Sequence, residues 1–167
     1  MIAQPARIIR IFALAITVLG LASACTSTPA TKTDTQPVAG KYGLSTRVGE
    51  AAAAVAMDQV GVPYRYGGSS PTGFDCSGLV QYSYSQAGKP LPRTTRQLWS
   101  STQAVGRREL QVGDLVFFNI DGKMSHVGLY LGKQRFVHAP SSGRTVTVAS
   151  LDSSYYKAAF IRGGRPK

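Results

Sequence analysis

Apolar residues recur at helical spacing in two segments of the middle of the chain. The Ala-rich segment 48–60 predicts a first helix, which a Gly-Val-Pro sequence ends. Residues 75–87 predict a second helix, because Asp75 is a favourable N-cap residue and Gly88 is typical of the position after a helix. The intervening residues 64–73 are rich in Gly, Pro and Ser and predict a loop.

The pattern changes to that of β-strands after residue 114. Residues 115–118 are a continuous apolar run, which is typical of a buried strand. Alternation of apolar and polar residues at 126–131 and 135–139 predicts the two arms of a hairpin, with its turn at residues 132–134. Two further features are predicted from the same patterns, namely additional strands at 145–148 and 158–162 and a polar connection over 89–108. Helices followed by an antiparallel sheet indicate an α+β fold.

The first 24 residues have the pattern of a bacterial export signal. Two arginines precede an apolar stretch at 11–22, which is too short to span a membrane. The Ala-Ser-Ala sequence before Cys25 fits ordinary signal-peptidase cleavage after Ala24. It also resembles a lipobox, in which the usual leucine is replaced here by Ala22. We expect Cys25 to be acylated, so that an exported lipoprotein faces the cell wall, on the periplasmic side of the outer membrane in a cell with two membranes.

Residues 25–46 are predicted to be a flexible spacer behind this anchor. They are rich in Thr, Pro, Ser and Gly, and they have too few large apolar side chains to offset the entropy cost of ordering. A coil of about 20 residues places a domain roughly 25 Å from its anchor on average. The remaining residues, 47–167, are long enough for a single folded domain, for which we expect a monomer.

The chain is strongly basic, with 19 Lys and Arg residues against 8 Asp and Glu residues and a net charge of +11. The basic residues are spread along the sequence, and the longest run is Arg107-Arg108. We therefore do not expect a nucleic-acid partner, since a basic surface equally suits anionic lipid or an acidic cell-wall polymer. Two cysteines cannot form a disulfide scaffold, and no CxxC pair is present for a structural zinc site.

Three residues are candidates for chemistry. Cys76 lies in the first turn of the second predicted helix, where the partial positive charge of the helix terminus favours a thiolate. His126 and His138 are the two histidines of the chain, one on each arm of the predicted hairpin. Antiparallel pairing places residue 126 opposite residues 138–140, so the two rings are predicted to be cross-strand neighbours on one face.

These three side chains fit a nucleophile, a base and an orienting group. His126 would take the thiol proton of Cys76, and His138 would hold the ring of His126 by a hydrogen bond. The same side chains could instead hold a catalytic zinc ion with an open fourth position. A third interpretation is an unreactive buried cysteine with two histidines that only cap strand ends.

Six short motifs, in this order, resemble those of the NlpC-type, papain-like family of cell-wall cysteine peptidases. Their sequences are PYRYGG at 63–68, FDCSGLV at 74–80, LPRT at 91–94, GDLVFF at 113–118, SHVGLY at 125–130 and FVHA at 136–139. The resemblance covers about residues 50–162. It implies a papain-like fold, in which helices with the nucleophile at a helix N-terminus pack on an antiparallel sheet.

The resemblance also implies a role for each matching residue. Cys76 matches the nucleophile, His126 the general base and His138 the third, orienting residue. Tyr64 matches a tyrosine beside the nucleophile that is thought to help at the oxyanion site. The positions that match residues lining the substrate cleft are Asp75, Ser77 and Arg93. Neither a metal ion nor an organic cofactor is implied.

The substrate implied by the resemblance is the stem peptide of bacterial peptidoglycan. The bond cleaved within the family is either the D-alanyl cross-link to diaminopimelate or the bond from γ-D-glutamate to diaminopimelate. The short lipoprotein architecture slightly favours the cross-link. Two alternatives of another class are a non-catalytic cell-wall binding module and amide or acyl transfer on another substrate.

Overall fold

The computed structural model describes residues 43–120 and 122–167. This part of the chain contains the α-helices α1 (Gly43–Met57), α2 (Cys76–Gln86), α3 (Thr95–Ser101) and α4 (Ser154–Ala159). The predicted export signal, Cys25 and most of the predicted spacer lie outside the described residues, so these remain predictions. Within the described ranges, no helix combines the length and the apolar character needed to cross a membrane.

The strands of the described residues form two antiparallel sheets. The small sheet contains β1 (Ser69–Ser70) and β2 (Gly73–Phe74). The large sheet has six strands in the order β3-β8-β4-β5-β6-β7. Its members are β3 (Thr102–Val105), β4 (Leu115–Ile120), β5 (Lys123–Gly132), β6 (Arg135–His138), β7 (Thr147–Ser150) and β8 (Phe160–Pro166). Helices together with an antiparallel sheet confirm the predicted α+β class.

The apolar run at the start of β4 is continuous because the sheet is covered on both faces. Leu115 and Phe117 point to a core shared with α1, α2 and α3, whereas Val116 and Phe118 point to a second core on the opposite face. All four side chains are fully buried. A strand buried on both faces loses the alternation that marks a half-exposed strand.

Helix α1 meets the loop before β4 at a contact between two glycines. A β-carbon built on Gly113 would overlap the backbone of Gly49, and Gly113 also has a positive φ of 92°. The Tyr84 hydroxyl of α2 donates to the Gly113 carbonyl oxygen at 2.7 Å, which joins α2 to the same loop. Helix α1 begins four residues before the predicted domain start at residue 47, and it ends at Met57 rather than at the predicted residue 60.

The predicted polar connection over 89–108 is wrong in detail. It contains α3, β3 and a 3₁₀ turn at Arg107–Glu109. Helix α3 starts at a capping box, in which Thr94 Oγ1 accepts from the Gln97 backbone N–H and the Gln97 side chain accepts from the Thr94 N–H. The helix buries a single side chain, Leu98, so its apolar periodicity is weak. Strand β3 pairs only with β8, a partner some sixty residues away that local sequence does not reveal.

Candidate active site

Helix α2 begins at Cys76, as the sequence predicts, and Asp75 caps its first turn. The Asp75 Oδ1 atom accepts from the Gly78 backbone N–H at 2.7 Å. The chain at Gly68 passes so close that a β-carbon on Gly78 would overlap the Gly68 carbonyl oxygen. Cys76 therefore lies at a helix tip that is held by a side-chain cap and by a close glycine contact.

The Cys76 thiol is enclosed by two other elements. Its Sγ atom lies 3.9 Å from Thr95 Oγ1 of α3 and 3.8 Å from the Ser125 carbonyl oxygen of β5. Burial raises the pKa of the Cys76 thiol, and the negative charge of Asp75 raises it further. This direction is opposite to the one expected from the helix terminus alone, and it favours a protonated thiol over a thiolate.

The structure brings the two histidines together. His126 Nε2 and His138 Nδ1 are 2.8 Å apart, and their rings are nearly perpendicular at 82°. The pairing of β5 with β6 joins Leu129 to Val137. Continued by one residue, this register places His138 opposite residue 128, so His126 is its diagonal neighbour on the same face.

Gly128 makes this diagonal contact sterically feasible. A β-carbon at Gly128 would lie 2.7 Å from Phe136 Cδ2 and 3.2 Å from His138 Cβ, so one of these side chains would have to move. The Val137 carbonyl oxygen would lie 2.8 Å from that β-carbon, so the absence of a side chain at residue 128 leaves the room that β6 and His138 occupy. The Ser-His-Val-Gly sequence therefore carries both a histidine and the space for its partner.

Burial keeps both imidazoles neutral at neutral pH. It lowers the pKa of His126 to about 4 and is also the main reason that the pKa of His138 is lowered to about 3, with smaller contributions from His126 and Arg144. Two neutral rings that share one hydrogen bond have linked tautomers, since one must donate and the other accept. If His126 Nδ1 is free to accept a proton, His126 Nε2–H donates to His138 Nδ1.

Tyr156 of α4 is the next partner in this chain of hydrogen bonds. Its hydroxyl lies 3.4 Å from His138 Nε2, and its ring packs edge-on against the His138 ring. In the tautomer just described, His138 Nε2–H donates to the Tyr156 oxygen. The sequence prediction missed Tyr156 because it missed α4, although Ser153, which caps this helix, is a signal that could have indicated it.

Cys76 and His126 open into one cavity of about 640 Å³. Its wall also includes Tyr64, Tyr156 and Arg144. Burial, and then the charges of Cys76 and Asp75, raise the pKa of the Tyr64 hydroxyl, so this group stays protonated and able to donate a hydrogen bond.

Asp75, Ser77 and Arg93 form a network at the N-terminal end of α2. Arg93 donates from Nη2 to Asp75 Oδ2 at 2.6 Å and from Nη1 to both Asp75 Oδ1 and Ser77 Oγ at 2.9 Å. Arg93 Nη2 also donates to the Gly68 carbonyl oxygen at 3.3 Å. These three residues are absent from the cavity wall in the described part of the chain. The network fixes the helix tip that carries Cys76, and the predicted substrate contact of the three residues stays a prediction.

The histidine geometry does not suit a shared metal ion. Ring nitrogens that bind one tetrahedral zinc ion at about 2.0–2.1 Å are about 3.3 Å apart, whereas His126 Nε2 and His138 Nδ1 are 2.8 Å apart in a direct hydrogen bond. Across residues 43–120 and 122–167, no group of three or more His, Cys, Asp or Glu side chains is arranged to hold a metal.

Comparison with known proteins identifies relatives. The model of the NlpC/P60 family matches residues 61–165. Murein DD-endopeptidase MepH of Escherichia coli is 43% identical over 115 residues, which cover 65% of this chain and 42% of MepH. The bifunctional muramidase/DL-endopeptidase CwlT of Bacillus subtilis is 42% identical over 116 residues, which cover 67% of this chain and 35% of CwlT. A probable endopeptidase NlpC homolog of Haemophilus influenzae is 39% identical over 117 residues, covering 70% of this chain and 62% of the homolog. The chain thus spans less than two thirds of each relative.

Solved structures give the same result for the fold. The NlpC/p60 domain of the peptidoglycan hydrolase SagA has a TM-score of 0.62 and 33% identity, over 70% of this chain and 97% of that domain. An NLP/P60 family protein of Staphylococcus aureus, described as similar to lipoprotein, has a TM-score of 0.64 and 37% identity, over 71% of this chain and 41% of that protein. The predicted papain-like arrangement of the α+β fold is confirmed.

Proposed function

The chain belongs to the NlpC/P60 family, and on that premise we propose that it is a peptidoglycan endopeptidase that uses Cys76 as its nucleophile. The observation that carries the proposal is the cavity that Cys76 and His126 both line, with His126 bonded to His138 behind it. Relatives named as murein DD-endopeptidase and DL-endopeptidase support the substrate class.

The proposed reaction starts from two neutral groups. Because burial raises the pKa of the thiol and lowers that of His126, a resting thiolate and imidazolium pair is disfavoured. The thiol proton moves to His126 Nδ1 as the sulfur attacks the substrate carbonyl. His138 accepts from His126 Nε2–H and so stabilises the imidazolium that forms.

The oxyanion of the tetrahedral intermediate needs donors beside Cys76. The Tyr64 hydroxyl is one candidate, since it shares the cavity and keeps its proton. The Cys76 backbone N–H, at the first position of α2, is the second. Loss of one such donor costs about 2.7–4 kcal/mol of transition-state stabilisation in related acyl transfers.

Breakdown of the intermediate gives a thioester and a free amine. The carbon–nitrogen bond of the substrate breaks, and His126 returns its proton to the leaving nitrogen. Water then loses a proton to His126 and attacks the thioester, which restores the thiol and releases a carboxylic acid. These steps involve no change of oxidation state and are balanced by water alone.

The D-alanyl cross-link and the γ-D-glutamyl bond to diaminopimelate are both amides that this apparatus can cleave. We propose the cross-link as the bond cleaved, in line with the relative named as a DD-endopeptidase. The γ-D-glutamyl bond is the second candidate, since another relative is named as a DL-endopeptidase.

The cellular setting is proposed from the sequence. An acylated Cys25 would tether the domain to a membrane through residues 25–46, within reach of the cell wall, as an exported monomer. Mass spectrometry of the mature N-terminus tests this proposal: an acylated N-terminal cysteine supports it, and an unmodified N-terminus contradicts it. The catalytic proposal does not depend on that result.

The first test compares the purified full chain with its Cys76→Ala variant on cross-linked and uncross-linked muropeptides, with the products read by mass. Conversion of dimers into intact monomers indicates cleavage of the cross-link, and shortening of stems to the dipeptide indicates cleavage after D-glutamate. Cys76→Ala should remove either activity while leaving the circular dichroism spectrum unchanged. Equal product from both proteins would contradict the role of Cys76, and no product from the unaltered chain would contradict the proposed function.

A further inference from the structure

The cavity wall carries one positive charge that the proposed chemistry does not use. Arg144 is the single Lys, Arg, Asp or Glu residue of that wall among the described residues. Arg144 is exposed, and its guanidinium makes no hydrogen bond or ion pair within the described part of the chain. An unpaired guanidinium beside a nucleophile is available for an anionic group of a ligand.

The backbone holds Arg144 in place. The Arg144 carbonyl oxygen accepts from the Tyr64 N–H at 2.8 Å, and the Arg144 N–H donates to the Ser141 carbonyl oxygen at 3.2 Å. Two residues further on, the Val146 N–H donates to the Val62 carbonyl oxygen at 2.8 Å. The loop that follows β6 is therefore tied to the segment before α2, which fixes the point from which the guanidinium enters the cavity.

Arg144 acts on the histidine side of the cavity. It lies in the loop that leaves β6 at His138 and enters β7 at Thr147, the residue paired with His138, and it shares the cavity wall with His126 and Tyr156. Its positive charge also contributes to the lowered pKa of His138. His126 hands its proton to the leaving nitrogen, and the residue that owns this nitrogen must therefore lie on the same side. Arg144 and the amine-side residue of the substrate thus share one part of the cavity.

We propose that Arg144 binds a free carboxylate on the substrate residue that supplies the leaving amine, which makes it a specificity-determining residue. This inference rests on the proposed function. A guanidinium matches a carboxylate with two parallel N–H···O bonds, and a carboxamide cannot accept both.

The proposed contact distinguishes the two candidate bonds. In the D-alanyl cross-link, the carbon that bears the leaving nitrogen also bears a free carboxylate. In the γ-D-glutamyl bond, the corresponding carboxyl group is joined to the next residue of the stem whenever the stem continues. A carboxylate-binding Arg144 therefore favours cleavage of the cross-link.

The test measures binding separately from cleavage. Two synthetic cross-link peptides, one with the free carboxylate beside the scissile nitrogen and one with a carboxamide there, are titrated calorimetrically into the full chain carrying Cys76→Ala. The carboxylate peptide should bind about tenfold more tightly, which corresponds to about 1.4 kcal/mol. Adding Arg144→Gln should remove this difference in affinity, and Arg144→Lys should keep part of it. The control is Arg108→Gln, which makes the same charge change at an exposed residue outside the cavity wall and should leave the difference intact.

The outcomes separate the inference from the proposed function. Equal binding of the two peptides, an equal loss for both on Arg144→Gln, or binding of neither would overturn the role of Arg144. Cleavage is then read with Cys76 in place. Carboxylate-dependent binding without cleavage of any muropeptide would overturn the endopeptidase proposal and leave the Arg144 contact standing, whereas cleavage indifferent to the carboxylate would overturn the contact alone.

Discussion

Lowering the pH from 7 to 5 should destabilise the fold, because His126 and His138 are buried as neutral rings. His126 is 8% exposed and His138 is 1% exposed. Their pKa values are about 4 and about 3 in the folded chain, against about 6.5 for a histidine in an unfolded chain. Below pH 6.5 the unfolded chain binds protons that the folded chain does not, so the free energy of unfolding falls as the pH falls.

The size of the effect follows from these pKa values. Between pH 7 and pH 5, each histidine should lower the free energy of unfolding by about 2 kcal/mol, so the pair should lower it by about 4 kcal/mol. The loss begins near the unfolded pKa and is complete only when the pH has passed below the folded pKa values. Such a loss is a large part of the 5–15 kcal/mol that is typical for the free energy of unfolding of a domain, at roughly a quarter or more. The chain contains two histidines in all, so the slope between pH 7 and 5 reports on these residues.

Urea unfolding at several pH values, followed by the fluorescence of the single tryptophan, Trp99, measures the slope. His138→Asn keeps a hydrogen-bonding side chain beside His126 but removes one titrating group, so it should lose about half of the pH dependence. A free energy of unfolding that stays constant from pH 7 to 5, or an unchanged slope in His138→Asn, would refute the assignment of buried neutral rings.

Three further substitutions test the site. Tyr156→Phe removes the hydroxyl beside His138 Nε2 and should lower kcat about tenfold with little change in KM and an altered pH–rate profile; an unchanged profile would mean that the tyrosine only packs. Arg93→Lys breaks the two-bonded pair with Asp75 and should lower the free energy of unfolding by about 1–2 kcal/mol in urea, and an unaltered midpoint would show that the pair contributes no stability. Gly128→Ala should lower the free energy of unfolding by about 1–3 kcal/mol and kcat by more than tenfold, because the added methyl group displaces Phe136 or His138. Full activity of this variant would contradict the steric argument.

The parts of the site that the sequence predicts are those with local signals. Helix α2 lies within one residue of its predicted bounds because Asp75 and Gly88 mark its two ends. The histidines meet because the hairpin turn, where Lys133 and Gln134 adopt positive φ values of 49° and 58°, sets the register of β5 and β6. Their placement on one face also depends on a register irregularity between Tyr130 and Gly132, which the turn and the alternation do not predict.

The parts that escape prediction depend on contacts distant in sequence. The Cys76 thiol contacts Thr95 and Ser125, which are 19 and 49 residues away. Burial in the assembled fold raises the pKa of the thiol, against the direction that the helix tip favours, although the hydrogen bond to Thr95 itself lowers it. Arg93 reaches Asp75 across 18 residues, and the sequence prediction of a cleft position for Arg93 does not include this ion pair. Desolvation and ion pairing are properties of the assembled fold, so a local pattern does not contain them.

Strand β8 has a consequence for the order in which the large sheet can assemble. It is the last strand in the sequence, yet it lies between β3 and β4 inside the large sheet. A ribosome that has finished residue 159 has already made Cys76, His126 and His138, but β3 still has no neighbouring strand and β4 has only β5. The large sheet is therefore completed only when β8 inserts between two strands that precede it in the sequence, so the sheet that carries both histidines depends on its most C-terminal described strand.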